Sequence, residues 1–259
     1  MVPAFDLTGR VALVTGAGSA QGIGVASARL LASLGASVLI TSTTARVDDR
    51  ARELRAAGAD ASSMVGDLTD HAVAEALVQH ALERWGRVDV LVQNAGMTSL
   101  SEPSEAGQAL GETSWEQWRS GVARNLDTTF LVVRAALAPM CAAGWGRVVV
   151  VTSVTGPVMA MRTEPVYAAA KAGVVGLVRS VAIDYAARGI TANAVAPGWI
   201  ATASQTPLEA DQGRRGPMGR SASPDEVAAA IGWLATPGAS YVTGQCLVVD
   251  GGNSIGEER

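Results

Sequence analysis

Seven short runs rich in Val, Leu and Ile recur along this chain of 259 residues, and segments of helix length separate most of them. That alternation constrains the fold more than any single residue does, because strands covered on both faces read as nearly continuous apolar runs. The strand candidates are 11–15, 37–41, 63–66, 88–92, 147–152, 191–196 and 245–249. Helices are expected over 24–34, 47–57, 71–85, 113–140, 165–188 and 224–236. Gly35 and Gly58 stand where C-terminal caps belong, and Ser223-Pro224 reads as an N-cap followed by proline at the first helical position. No repeat, linker or low-complexity stretch interrupts the pattern. The expectation is one α/β domain over 1–259, a doubly wound, seven-stranded parallel sheet. Two stretches resist it: 97–112 and 199–221 are polar or rich in glycine and proline, and both follow strand ends. Long loops in a compact domain are uncommon unless they cover a site. Ligands bind beyond the carboxyl ends of strands in such sheets.

Composition narrows the classes of function. Apolar residues make up 48% and charged residues 17%, which suits a large buried core, while the net charge of −4 without a long basic run gives nucleic acid no footprint. The only cysteines, Cys141 and Cys246, are far apart in sequence and are expected to be reduced and buried in a cytosolic protein. Two histidines, His71 and His80, on the solvated face of a helix leave little to hold a metal, so no metal site is expected. No apolar stretch is expected to reach the ~18 residues that a membrane span needs and no basic-then-apolar leader opens the chain, so the expectation is a cytoplasmic protein without a membrane partner.

Chemistry enters at two places. The first strand runs directly into Thr15-Gly16-Ala17-Gly18-Ser19-Ala20-Gln21-Gly22-Ile23-Gly24, and a helix follows. Glycines let the backbone turn tightly and approach a pyrophosphate, whose charge meets the helix N-terminus. Further on, Tyr167 and Lys171 stand four residues apart on one helix face, fourteen residues after Ser153. An ordinary phenol titrates near 10. A cation one turn away is expected to lower that value, and a nearby hydroxyl can hydrogen-bond a carbonyl oxygen. The three side chains together could polarise a carbonyl and protonate it as hydride arrives.

These motifs, in this order, resemble the short-chain dehydrogenase/reductase family over nearly the whole chain, which implies a Rossmann-type fold and a nicotinamide-dependent enzyme. The glycine loop is similar to the family's Thr-Gly-x-x-x-Gly-x-Gly, although five residues rather than three separate Gly16 from Gly22. The likeness implies cofactor contacts at Gly16, Ser19, Gly22, Ile23 and Gly24, and at Asp67 and Leu68 beside the adenine. Asn94-Ala95-Gly96 matches the family's Asn-Ala-Gly, with Gln93 where asparagine is commoner. Pro197, Gly198, Ile200 and Thr202 fall in the segment that covers the nicotinamide in the family, and Val248 to Gly252 resembles its closing strand. Asn125 completes a tetrad with Ser153, Tyr167 and Lys171. By resemblance Tyr167 is the acid/base, Lys171 lowers its pKa and holds the nicotinamide ribose, Ser153 binds the substrate oxygen, and Asn125 holds a water in a proton relay.

The second strand ends in Thr41-Ser42-Thr43-Thr44-Ala45-Arg46, with no acid until Asp48. An acid at such a position normally binds the ribose hydroxyls and disfavours a 2′-phosphate. Ser42 and Thr43 can hydrogen-bond a phosphate and Arg46 can neutralise it, so NADP(H) is favoured over NAD(H). The expected reaction is reversible reduction of a small ketone to a secondary alcohol. A 3-oxoacyl thioester reductase, served by Arg214, Arg215 and Arg220 at the pocket mouth, is the alternative substrate class, and a nicotinamide-binding regulator without turnover is the alternative of another class. The substrate pocket is expected to include Ser153, Thr155, Glu164, Tyr167 and Trp199, bounded also by Val154 and by 159–164. Glu164, with Glu102 or Glu105, could favour an amine-bearing substrate. Compared with similar reductases, 96–125 is longer and 202–219 looks short for a helical lid. The helix over 165–188 is apolar around much of its circumference, with small residues that allow close approach, so a homotetramer with twofold interfaces is expected, as in the family.

Overall fold

In the computed structural model, which describes residues 3–96 and 107–256, seven strands form one parallel sheet. They are β1 (Val11–Val14), β2 (Ser37–Ser42), β3 (Ala61–Val65), β4 (Val90–Gln93), β5 (Gly146–Val151), β6 (Ile190–Pro197) and β7 (Cys246–Val249), in the order β3-β2-β1-β4-β5-β6-β7. The helices are α1 (Ile23–Ser33), α2 (Arg46–Ala56), α3 (His71–Trp85), α4 (Trp115–Val122), α5 (Thr128–Ala143), α6 (Pro165–Tyr185), α7 (Pro207–Arg215) and α8 (Pro224–Ala235).

The two-residue period of a strand explains both layers. Leu13, Leu91, Val148 and Val150 face one way and pack with Leu77 of α3, Val132 and Met140 of α5, and Val174 and Val178 of α6. Their neighbours Ala12, Val14, Val92, Val149 and Val151 face the other way, against Leu31 of α1, Leu54 of α2 and Ile231 of α8. Chain order reverses between β1 and β4, so the ends of these strands open a crevice at the switch point.

The structure departs from the sequence expectations in several places. β3 begins at Ala61, paired with Val38, because hydrogen bonding to β2 overrides the weak strand preference of Ala61-Ser62. The helix expected over 113–140 begins at Trp115, behind a capping box of Ser114 and Gln117, and widens into a π turn over Ala123–Asp127 before continuing as α5 to Ala143. Hydroxyls of Thr128 and Thr129 donate to the carbonyls of Ala123 and Asn125 in that turn. The irregular stretch 199–221 contains α7, capped by Thr206 and Glu209 with Pro207 at its first position. A helical lid is therefore present where the sequence looked too short for one. Of 97–112, residues 97–106 lie outside the described residues, and 110–112 form a short 3₁₀ turn. Cys141 and Cys246 are free thiols, half-buried rather than buried.

Against expectation, the stretches 115–143 and 165–188 are each long and apolar enough to cross a membrane. Their apolar residues do other work here. Val132, Ala136 and Met140 on one, and Val174, Val178 and Val181 on the other, cover a face of the sheet.

Candidate active site

Two groups of residues meet at the crevice. On one side the glycine loop joins β1 to α1. The Thr15 hydroxyl donates to Gln93 Oε1 at 2.7 Å and accepts from the amides of Asn94 and Ala95, both at 2.9 Å. Asn94 Nδ2 returns bonds to the carbonyls of Thr15 and Gly16 at 3.2 and 3.1 Å, and Gln93 Nε2 donates to Ala95 O. Gln93 thus ties the ends of β1 and β4 together, and the structure gives the departure from asparagine a physical role. Gly16 adopts φ +66°, and a Cβ on Gly24 would lie 2.6 Å from the Gly16 carbonyl, so both glycines are needed for α1 to start against the loop.

This half fits a dinucleotide. Gly22 is the N-cap of α1 and supplies no side-chain acceptor, and the first turn carries no acid, so the opening amides face the crevice end of the loop with their positive partial charge unanswered by the helix itself. A Cβ on Gly18 would sit 2.6 Å from Ser42 Oγ, which shows how closely the longer loop hugs the end of β2, while the Ser19 carbonyl accepts from Gly22 N at 3.3 Å. At that end Ser42 Oγ donates to Thr44 O at 2.8 Å, Thr43 is exposed, and Arg46 Nε donates to Thr44 Oγ1 at 3.1 Å. Asp48 is turned towards β3, where its Oδ1 accepts from Ser63 Oγ at 2.8 Å. The Asp67 carboxylate is exposed and accepts from Thr69 N and Oγ1, while Leu68 beside it is buried.

On the other side β5 delivers Ser153 and α6 delivers Tyr167 and Lys171. Ser153 Oγ accepts from the Thr155 amide at 3.1 Å, and Ser153 and Tyr167 line the same cavity. Lys171 is 3% exposed; its Nζ donates to Val151 O at 3.2 Å and stands 5.6 Å from the centre of the Tyr167 ring. The Lys171 carbonyl accepts from Thr152 Oγ1 at 2.8 Å, which fixes α6 against the strand end. Asn125 is 2% exposed in the π turn, its Nδ2 donating to Gly121 O at 3.1 Å, and a Cβ on Gly96 would lie 3.0 Å from its Oδ1. A π turn is a frequent device for presenting one side chain at a functional site.

The electrostatics correct one expectation. Burial pushes the Tyr167 phenol above its ordinary value; the neighbouring Ser153 hydroxyl opposes that, and the carboxylates of Glu164 and Glu209 add to it. Lys171 does not bring the phenol below 10. Burial also acts on Lys171 itself, lowering its pKa from 10.5 to about 8. Desolvation disfavours the charged form of each group and is the largest cause of both shifts.

A cavity of about 260 Å³ opens in front of Ser153 and Tyr167. Thr155, Trp199, Gly198, Ile200 and Thr202 line it, with Val154 and 159–161. Pro197 ends β6 just before this segment. Glu164 does not line the cavity; it is half-buried beside it, with its pKa raised by burial and by Glu209. The lining carboxylate is Glu209 of α7, joined by Ser204, Gln205 and Asn253. Sequence reasoning missed these, although the run Thr206-Pro207-Leu208-Glu209 carries a capping signature. Glu102 and Glu105 lie outside the described residues.

A glycine-lined helix start, an oxygen-binding hydroxyl, a phenol and a buried ammonium at one sheet edge define a nucleotide-dependent oxidoreductase. Residues 16–254 match the family described as enoyl-(acyl carrier protein) reductase. The chain is 45% identical over 247 residues to cis-4-hydroxycyclohexanecarboxylate dehydrogenase of Sinomonas cyclohexanicum, covering 94% of this chain and 96% of that one. It is 39% identical over 251 residues to a 3-oxoacyl-acyl-carrier-protein reductase of Synechocystis sp., covering 95% and 97%. A solved structure assigned as a NAD(P)-dependent gluconate 5-dehydrogenase of Beutenbergia cavernae, with NADP bound at low occupancy, superposes with a TM-score of 0.88 at 39% identity, covering 98% and 100%. The chain belongs to the short-chain dehydrogenase/reductase family and is an NAD(P)-dependent oxidoreductase.

Proposed function

We propose that this enzyme interconverts a small ketone and its secondary alcohol, with Tyr167 as acid/base, and that it prefers NADP(H). The observation that carries the reading is that Ser153 and Tyr167 line the same cavity wall, with the Lys171 ammonium 5.6 Å from the centre of the Tyr167 ring. The glycine loop, Asn94 to Gly96 and the segment from Pro197 to Thr202 would hold the nicotinamide dinucleotide, which would supply or accept the hydride. Ser153 Oγ orients the substrate oxygen. The Tyr167 hydroxyl gives that oxygen a proton in reduction and takes it back in oxidation. Lys171 stabilises the phenolate left behind, and Asn125 anchors the relay that reprotonates it.

The NADP(H) preference rests on the end of β2. No acid stands there, Asp48 is engaged with Ser63, and Arg46 is folded back onto Thr44 beside Ser42. The 3-oxoacyl thioester reading asked for arginines at the pocket mouth. Arg214 and Arg215 pair with Asp211, and Arg220 pairs with Glu226, so those cations are already engaged. We also propose that the protein is a homotetramer, because Trp115, Phe130 and Ile183 leave 67%, 47% and 83% of their surfaces exposed on α4, α5 and α6. Light scattering at micromolar concentration should return four chain masses, and a monomer mass would end that part.

The test of function follows absorbance at 340 nm with purified protein, NADPH or NADH, and a panel of neutral cyclic and linear ketones. Reduction of at least one ketone, faster with NADPH, is expected. Cofactor binding without turnover of any ketone or alcohol would favour a regulator instead.

A further inference from the structure

Glu209 is the only charged side chain that lines the cavity among the described residues, and no lysine or arginine does. The first turn of α7 fixes its position: Oε2 accepts from Thr206 N at 2.7 Å and from Thr206 Oγ1 at 3.0 Å, so the carboxylate is held by the cap rather than free to swing away. Beside the cavity stands Glu164, the N-cap residue of α6, whose side chain caps none of that helix's amides. Its backbone is set on both sides, by Thr163 at φ +63° and by Pro165 at the first helical position. A β-branched residue at positive φ is strained, and such strain persists only where the surroundings impose it. The two carboxylates are near enough that Glu209 raises the pKa of Glu164, and both raise that of Tyr167. The arginines of the lid do not offset this charge, since Asp211 and Glu226 engage them.

The geometry points to a site that selects ketones and secondary alcohols whose far end carries an ammonium group, and rejects those that end in a carboxylate. This rests on the ketone/alcohol reading proposed above and names its substrate class. Rejection by like charge is as much a part of specificity as attraction. The substrates named for two relatives, a cyclohexanecarboxylate and an acyl group on a carrier protein, are of other kinds.

The test compares 4-aminocyclohexanone, 4-methylcyclohexanone and 4-oxocyclohexanecarboxylate with NADPH in wild type, Glu209→Gln and Glu164→Gln. Glutamine also serves in a capping box, so Glu209→Gln removes the charge while keeping the α7 cap. In parallel, calorimetry measures binding of 4-aminocyclohexanol and 4-hydroxycyclohexanecarboxylate to the wild-type enzyme saturated with NADPH, a combination that cannot turn over. We expect the amine to exceed the carboxylate by on the order of tenfold in kcat/KM and in affinity, with the gap narrowing in each variant. Equal values for the two, a carboxylate preference in wild type, or an amine preference unchanged in both variants would overturn the inference. If the calorimetric order holds while no ketone is reduced, the charge selection stands and the ketone-reductase reading fails.

Discussion

Replacing Lys171 with methionine should stabilise the fold while removing activity. The ammonium is 3% exposed and has one described acceptor, Val151 O at 3.2 Å. Burial lowers its pKa from 10.5 to about 8. At roughly 1.4 kcal/mol for each tenfold in protonation, holding the charge costs the folded state about 3 kcal/mol at pH 7. Methionine has similar length and no charge, but it leaves Val151 O one donor short, a loss of about 1 kcal/mol. The net gain is about 2 kcal/mol, or about 5 °C in Tm for a chain of this size. The pH dependence carries the sharper test. The folded value lies below the unfolded one, so the unfolded chain binds the proton more tightly between about pH 8 and 10.5. Below that window both states carry the proton and the full penalty applies. Above it neither does, and the penalty is gone. Wild type should therefore gain on the variant as pH rises from 8 to 10.5. Urea titrations of both proteins at pH 7, 9 and 10.5, with turnover measured at pH 7, would check this. A variant less stable than wild type at pH 7, or a stability difference that stays constant across the window, would refute the reasoning.

Tyr167→Phe keeps the ring and removes the proton donor, so turnover should fall by at least the ~10²-fold typical of acid–base groups, while fluorescence titration shows NADPH still bound. Gly24→Ala places a Cβ 2.6 Å from Gly16 O and 2.8 Å from Asn94 Nδ2, both tightly held. It should cost about 1–3 kcal/mol in denaturant unfolding and weaken NADPH binding. Arg46→Ala should raise KM for NADPH about tenfold and leave that for NADH nearly unchanged, as expected for one charged contact to a phosphate; equal effects on both would remove Arg46 from the phosphate site.

The sheet was largely legible because the burial of β1, β2, β4, β5 and β6 leaves continuous apolar runs. β1, β5 and β7 fall within a residue or two of the expected ranges. The ends that moved are those where pairing rather than composition decides: Ala61-Ser62 enter β3 opposite Val38 and Leu39, and Pro197 closes β6 opposite Val249. The π turn at Asn125 left no local mark, because the hydroxyls of Thr128 and Thr129 that bond its carbonyls are equally at home in an ordinary helix. α7 was hidden for a different reason. Its residues Pro207–Arg215 are mostly polar and small, and Leu208 is 69% exposed, so no apolar stripe of helical period exists to be read. Its cap was visible all the same. Thr206-Pro207-Leu208-Glu209 has the form of Ser223-Pro224-Asp225-Glu226, which was recognised at the start of α8 because an apolar helix followed it.

The same limit applied to the chemistry. Spacing places Tyr167 and Lys171 on one face, and the structure puts the ammonium 5.6 Å from the ring centre. Spacing carries no information about water, and water decides the sign of the pKa shift. With both groups desolvated, the phenol rises and the ammonium falls to about 8, so at neutral pH the phenol holds its proton and the lysine its charge. On the mechanism proposed above, that is the protonation state needed to reduce a ketone: a neutral donor at the substrate oxygen, the Ser153 hydroxyl to orient it, and a cation behind the ring to stabilise the phenolate. Oxidation of an alcohol needs the opposite state of Tyr167, and the carboxylates of Glu164 and Glu209 disfavour it further. On that mechanism Glu209, hidden from the sequence on α7, would act with Glu164 on direction, biasing the site at neutral pH towards giving a proton rather than taking one.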